Sequence, residues 1–61
     1  MTLTEIAQKA KVKEGFVFGN ISSWYYFFDE ENILMERSEE GHVTEAYLER
    51  SDLTRDDWYF V

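Results

Sequence analysis

Five consecutive aromatic residues, WYYFF at 24–28, constrain the fold of this chain more than any other feature. The segment is β-prone and follows the turn residues GN at 19–20, so a strand is predicted over 21–28. Because the side chains of a strand alternate between its two faces, aromatic rings must lie on both faces of the sheet. A single helix covers only one face, so we expect a second subunit or another partner to cover the other.

The chain has 61 residues, of which 44% are hydrophobic and 18% aromatic, and it has no cysteine. We expect a single domain, residues 1–61, near the lower size at which a chain folds alone. Without disulfides or clustered Cys/His ligands, oligomerisation is the expected source of additional stability. There is neither an apolar run of about 20 residues nor a signal-peptide pattern, so we expect a cytoplasmic protein without membrane association.

Acidic residues are concentrated in the second half of the chain. Residues 1–27 hold three lysines against two glutamates, residues 28–61 hold three arginines against eleven acidic residues, and the net charge is −7. This distribution argues against direct nucleic-acid binding, which needs clustered basic residues. It is compatible with an acidic protein that occupies a partner's nucleic-acid groove. A simpler explanation is that the acids keep an aromatic-rich protein soluble.

An amphipathic helix is predicted over residues 2–13. Thr2 and Glu5 have the spacing of a capping box, in which each side chain accepts a backbone N–H of the other residue. Apolar residues recur at helical spacing, and the lysines lie toward the C-terminal end, where the helix dipole favours them. Gly15 is the predicted helix stop.

After Gly15 the pattern becomes that of strands. FVF at 16–18 predicts a first strand, and ILMERS at 33–38 predicts the strand that returns from 21–28 around the loop DEEN at 29–32. The sequence HVTEAYLER at 42–50 fits either a helix or a strand, and its valine, threonine and tyrosine favour a strand.

The last part of the chain predicts a helical turn and a closing strand. SDLTRDD at 51–57 has Ser51 as a candidate cap and Asp52 near the exposed N–H groups, and WYFV at 58–61 is β-prone. The sequence therefore predicts an α+β fold, with one N-terminal helix packed on a small antiparallel sheet of about four strands, in an oligomer.

Catalytic and metal chemistry have little support in the sequence. The only histidine, His42, is not part of a motif with a serine or cysteine nucleophile, so we do not expect an enzyme. Asp52, Asp56 and Asp57 lack the spacing of a calcium loop, and capping accounts for Asp52, so no metal or cofactor is expected. Asp56 and Asp57 can accept hydrogen bonds from a ligand, from arginines or from a neighbouring subunit, and the sequence favours neither a structural nor a ligand role.

Most aromatic residues are expected in the core or at an interface. Nucleobases stack on aromatic side chains with about 1–3 kcal/mol per base, so a tryptophan beside a subunit groove is a candidate nucleotide platform. The chain has no glycine-rich phosphate loop, so a phosphate would depend on backbone N–H groups, Asn20, the serines at 22 and 23, or a cation. The candidate ligand-binding residues are Asn20, Trp24, Tyr26, Asp56, Asp57 and Trp58.

Several motifs resemble, in order, those of the phage Thoeris anti-defence family 2. They are LTEIAQKA at 3–10, SSWYYFF at 22–28, NILMERS at 32–38 and DLTRDDW at 52–58. Members of that family are small homo-oligomers that sequester cyclic-nucleotide immune signals. The resemblance implies a nucleotide-binding homo-oligomer in the host-cell cytoplasm, with Trp24 and Trp58 as stacking platforms and Asp57 as an acceptor for a base or ribose.

The resemblance implies one function, the acidic charge permits a second, and a structural or toxin-type small protein with no ligand is a third possibility. In the first, the protein binds and sequesters a cyclic nucleotide immune signal without turnover, at an inter-subunit pocket. In the second, it inhibits a host defence or nucleic-acid-binding protein because its carboxylates imitate a phosphate array. Convergence of Trp24 and Trp58 on a cleft would favour the first, and a continuous acidic face would favour the second.

Overall fold

The computed structural model describes residues 1–20 and 24–61. These residues form two short helices and five strands, in the order α1 (Leu3–Lys9), β1 (Phe16–Phe18), β2 (Tyr25–Phe28), β3 (Leu34–Arg37), β4 (Val43–Glu45), α2 (Arg50–Leu53) and β5 (Trp58–Phe60). All strand pairs are antiparallel, and the sheet order is β4-β3-β2-β1-β5. The α+β class is confirmed, and the sheet has five strands instead of about four. In the described part of the chain no helix has the length and hydropathy needed to cross a membrane.

The predicted capping box begins α1. The Thr2 hydroxyl accepts the Glu5 N–H at 3.2 Å, and the Glu5 carboxylate accepts the Thr2 N–H at 2.9 Å. The bond from the Thr2 backbone lowers the pKa of Glu5, because it stabilises the charged carboxylate. Ile6, one helical turn after Thr2, is fully buried and packs the helix against the sheet.

The helix is shorter than predicted, and Gly15 does not end it. The last helical residue is Lys9, and Ala10 is already extended, with φ −66° and ψ 134°. The Glu14 side chain then accepts the Lys11 N–H at 2.9 Å, so a local turn replaces further helix. Gly15 serves packing instead, since a Cβ there would lie 3.0 Å from side-chain carbons of both Tyr25 and Val61.

The predicted hairpin of β2 and β3 is confirmed. Its register runs from Tyr25 opposite Arg37 to Phe28 opposite Leu34. Asp29 shapes the loop because its carboxylate accepts the N–H groups of Glu31 and Ile33, each at 2.9 Å. Residues 21–23, which were predicted to begin this strand, lie outside the described residues.

The region 42–50 contains a strand, as favoured by its composition, and β4 occupies its first half. The helical turn expected at 51–57 is confirmed as α2, but Ser51 does not cap it. The N-cap is Glu49, whose N–H donates to the Asp52 carboxylate at 3.2 Å. The predicted last strand is β5.

The core lies between α1 and one face of the sheet. Ile6, Phe16, Tyr26 and Trp58 form its buried cluster. Tyr25 and Phe27 alternate with the core residues of β2 and therefore belong to the opposite face, which we call the outer face. Apolar surface on both faces of the sheet is thus confirmed.

Candidate functional site

Trp58 is part of the core. Its side chain is 1% exposed, and its ring centroid lies 4.6 Å from that of Phe18 and 5.5 Å from that of Tyr26. Its Nε1 donates to the carbonyl of Asp52 at 3.2 Å. The predicted stacking role does not fit this arrangement, because packing leaves no ring face of Trp58 open to a base.

Tyr26, which packs against the Trp58 ring, connects the core to Trp24. Nε1 of Trp24 donates to the Tyr26 hydroxyl at 3.2 Å. Tyr26 is 4% exposed, and burial raises the pKa of its phenol. Trp24 is 41% exposed and keeps surface available to a ligand. Both tryptophans therefore contact Tyr26, and among the residues that the structure describes they do not line a common open cleft.

Asp57 is held by an arginine of its own chain. The Arg55 guanidinium donates to both carboxylate oxygens of Asp57, at 2.8 and 2.6 Å, and it lies 4.7 Å from the Phe18 ring centroid. This pairing lowers the pKa of Asp57 and raises the pKa of Arg55. Because both carboxylate oxygens of Asp57 already accept hydrogen bonds from Arg55, the geometry favours the structural role of Asp57 over a ligand role.

Asp56 and Asn20 are both exposed. The backbone carbonyl of Asp56 accepts a hydrogen bond from the Met1 nitrogen at 2.8 Å. Asn20 lies in the turn after β1. The six residues predicted to bind a ligand thus divide into two buried rings (Tyr26 and Trp58), the exposed Trp24, an ion-paired carboxylate (Asp57) and two further exposed positions. Within the described ranges, 1–20 and 24–61, they do not form one pocket.

A different set of residues forms an open concavity of about 320 Å³ on the outer face. It is lined by Lys13, Tyr25, Phe27 and Arg37, and we call it the outer-face site. Its volume is at the lower end of the roughly 300–1,000 Å³ typical of small-molecule sites. Two half-buried aromatic rings therefore meet two cations on one surface.

The sheet and one unusual backbone conformation position these four side chains. Arg37 is directly opposite Tyr25 in the hairpin, and the Tyr25 and Phe27 ring centroids are 6.2 Å apart with a 49° tilt. Lys13 has φ +65°, a left-handed conformation uncommon for a non-glycine residue. Its N–H donates to the Phe28 carbonyl at 2.8 Å, which ties the turn to the end of β2.

The two cations are accessible to an anion. Lys13 Nζ lies 3.6 Å from a Glu30 carboxylate oxygen, and the two side chains are 66% and 78% exposed. Exposed pairs of this kind contribute about 0–1 kcal/mol, so an anionic ligand can replace Glu30 at little cost. Only six residues of the chain are lysine or arginine, and two of them line this site.

Several carboxylates proposed to imitate phosphates already have partners within the chain. Asp29 accepts backbone N–H groups of its own loop, Glu30 pairs with Lys13, and Asp57 pairs with Arg55. Among the residues that the structure describes, no three acidic, histidine or cysteine side chains are arranged to hold a metal ion. The geometry gives the acidic-mimic interpretation no specific support.

Comparison with protein-family models, with curated proteins and with solved structures gives no match for this chain. The outer-face site was not identified from the sequence, although part of its signal was present. Strict alternation along 24–28 separates Tyr25 and Phe27 from the core residues Tyr26 and Phe28. The contribution of Arg37 depends on the hairpin register, and that of Lys13 on a helix that ends four residues earlier than predicted.

Proposed function

We propose that this chain is a small non-catalytic binding protein that sequesters a nucleotide-type ligand, with the cyclic nucleotide immune signals of the phage anti-defence family as the candidate class. The outer-face site is the proposed binding surface. The observation that supports it is the convergence of Tyr25 and Phe27 with Lys13 and Arg37 in a chain of net charge −7.

The chemistry of these four side chains suits a nucleotide. A planar base can stack on Tyr25 or Phe27, which contributes about 1–3 kcal/mol per stacked base. Arg37 offers a planar fork of N–H donors to a phosphate, and Lys13 offers a point charge. An uncharged aromatic ligand would leave both cations unused, so we expect preference for an anion.

Binding without turnover is part of the proposal. The four lining residues are two aromatic and two basic ones, and this combination contains no serine, cysteine, histidine or carboxylate. We further propose that the protein acts as a homo-oligomer in the host cytoplasm. Its small core supports self-association, since a domain of this size gains only about 3–5 kcal/mol from one core.

A ligand panel tests this function. Tryptophan and tyrosine fluorescence and the melting temperature are followed while cyclic mononucleotides, cyclic dinucleotides and cyclic ADP-ribose isomers are added. We expect one class to change the fluorescence and raise the melting temperature, and to be recovered chemically intact after heat denaturation. No response to any member, or recovery of a hydrolysed product, would contradict sequestration.

A further inference from the structure

The two edges of the sheet differ in how their backbone groups are used. At the β5 edge, the Trp58 N–H donates to the Met1 carbonyl at 3.0 Å, and the Met1 nitrogen donates to the Trp58 carbonyl at 2.9 Å. Part of this edge is therefore already paired within the chain. β4 lies at the other end of the strand order, and no strand of the described residues lies beyond it.

The register shows which backbone groups of β4 point outward. The His42 carbonyl accepts the Ser38 N–H at 2.9 Å, and the Ala46 N–H donates to the Leu34 carbonyl at 2.9 Å. The direction of the backbone N–H and C=O groups alternates along an antiparallel strand, so the backbone groups of the even-numbered residues point toward β3. The N–H and C=O groups of Val43 and Glu45 therefore point away from the sheet.

The side chains of this edge give little protection against pairing. Natural edge strands are commonly blocked by lysine or proline, and residues 42–47 contain neither. Val43 is 48% exposed and Tyr47 is 91% exposed. The edge thus combines outward hydrogen-bonding groups with exposed apolar side chains.

We propose that β4 is the surface through which two copies of this chain pair, antiparallel, about a two-fold axis at Thr44. The proposal rests on the homo-oligomer of the proposed function and names its interface. Thr44 is the middle residue of β4, so this register pairs the whole strand and places Val43 opposite Glu45 of the partner subunit. Two five-stranded sheets then become one continuous sheet, with both outer-face sites on the same side.

The distribution of charge supports this register, and it also supports a second copy of the chain as the partner of β4. Arg37 is opposite Val43 within the chain, so pairing at Thr44 aligns Arg37, Val43 and Glu45 of the partner subunit in one row, with opposite charges on either side of the valine. A register centred on Glu45 would instead place two carboxylates opposite each other, which is destabilising. The strand is therefore complementary to itself in the register that pairs it completely.

Sedimentation of the full chain without nucleotide tests the interface, with Val43→Lys compared with Val61→Lys. Val61 is 74% exposed and follows β5, at the other edge of the sheet. We expect the wild type and Val61→Lys to sediment at twice 7.3 kDa, and Val43→Lys to weaken the dimer at least about tenfold. A wild-type monomer up to millimolar concentration, or equal association of the two variants, would overturn the proposal.

Two further measurements test the interface if Val43→Lys does not fold. Glu45→Pro removes an outward N–H that β3 does not use, so it should also give a folded monomer. In the wild type, the amides of Val43 and Glu45 should exchange more slowly as protein concentration rises, and no such change would again overturn the interface. Nucleotide binding is measured separately, so a failed dimer and a failed ligand site are distinguishable.

Discussion

Arg37 lies directly opposite Tyr25 in the β2–β3 hairpin, on the face of the sheet that points away from the core. This relationship places a cation beside an aromatic ring in a chain whose charge is otherwise mainly acidic. The same hairpin sends Tyr26 into the core and thereby separates structural aromatic residues from those available to a ligand.

The burial of Trp58 predicts that it stabilises the fold. Trp58→Phe should lower the free energy of unfolding by about 1–3 kcal/mol, because it removes the hydrogen bond to Asp52 and leaves a cavity. Trp24→Phe should have a smaller effect, since it removes the hydrogen bond to the Tyr26 hydroxyl but leaves no buried cavity at the 41% exposed Trp24. Urea denaturation of both variants measures the difference. Equal losses would contradict the assignment of Trp58 to the core.

The N-terminal capping box predicts a specific cost for losing the Thr2 hydroxyl. Thr2→Ala should lower the free energy of unfolding by about 0.5–2 kcal/mol, because the Glu5 N–H loses its acceptor. Thr4→Ala is the matched control, since Thr4 lies exposed within α1 and alanine has the higher helix propensity. Thermal unfolding monitored by circular dichroism should show a lower melting temperature for Thr2→Ala alone.

The Arg55–Asp57 pair predicts loss of stability in acid. The pKa of Asp57 is lowered in the folded protein, so its stabilising contribution is complete above the unfolded value of about 3.9 and is lost as the pH falls through the folded value. The pKa of Glu5 is also lowered, and its contribution has the same sign. Asp57→Asn should therefore reduce the decrease in melting temperature between about pH 5 and pH 2.

Asp56→Asn is the control for this acid dependence. The Asp56 side chain is exposed, and the hydrogen bond with the Met1 nitrogen is made by the backbone carbonyl of Asp56, which the substitution keeps. It should retain the acid dependence of the wild type. If Asp57→Asn and the wild type lose stability in parallel as the pH falls, Arg55 does not stabilise the ionised carboxylate as the structure implies.

Local patterns predicted much of the fold. Thr2 and Glu5 gave the start of the first helix, and the β-prone runs around 29–32 gave the hairpin. The end of that helix was missed because the Lys11–Glu14 turn is a side-chain interaction that periodicity does not contain. The prediction that Gly15 ends the helix is wrong, because Gly15 packs against Tyr25 and Val61, which are distant in sequence.

The candidate site was predicted less well, for a related reason. An aromatic side chain suits both a buried core position and a ligand-binding surface. Composition therefore does not distinguish the core residue Trp58 from Tyr25, which lines the outer-face site. Their separation depends on strand alternation and on which face α1 covers. For Asp57 the sequence favours neither a structural nor a ligand role, and the difference depends on the Arg55 side chain, which donates to both of its carboxylate oxygens.

The central claim is that the outer-face site binds an anionic nucleotide, and calorimetric titration of Arg37→Gln against Arg50→Gln tests it most directly. Both changes remove one positive charge, but Arg50 lies in α2 and does not line the site. For the nucleotide that binds the wild type, we predict about 10- to 100-fold weaker binding by Arg37→Gln, the loss expected for one charge-assisted hydrogen bond, and little change for Arg50→Gln. Equal affinities of the two variants would contradict the account.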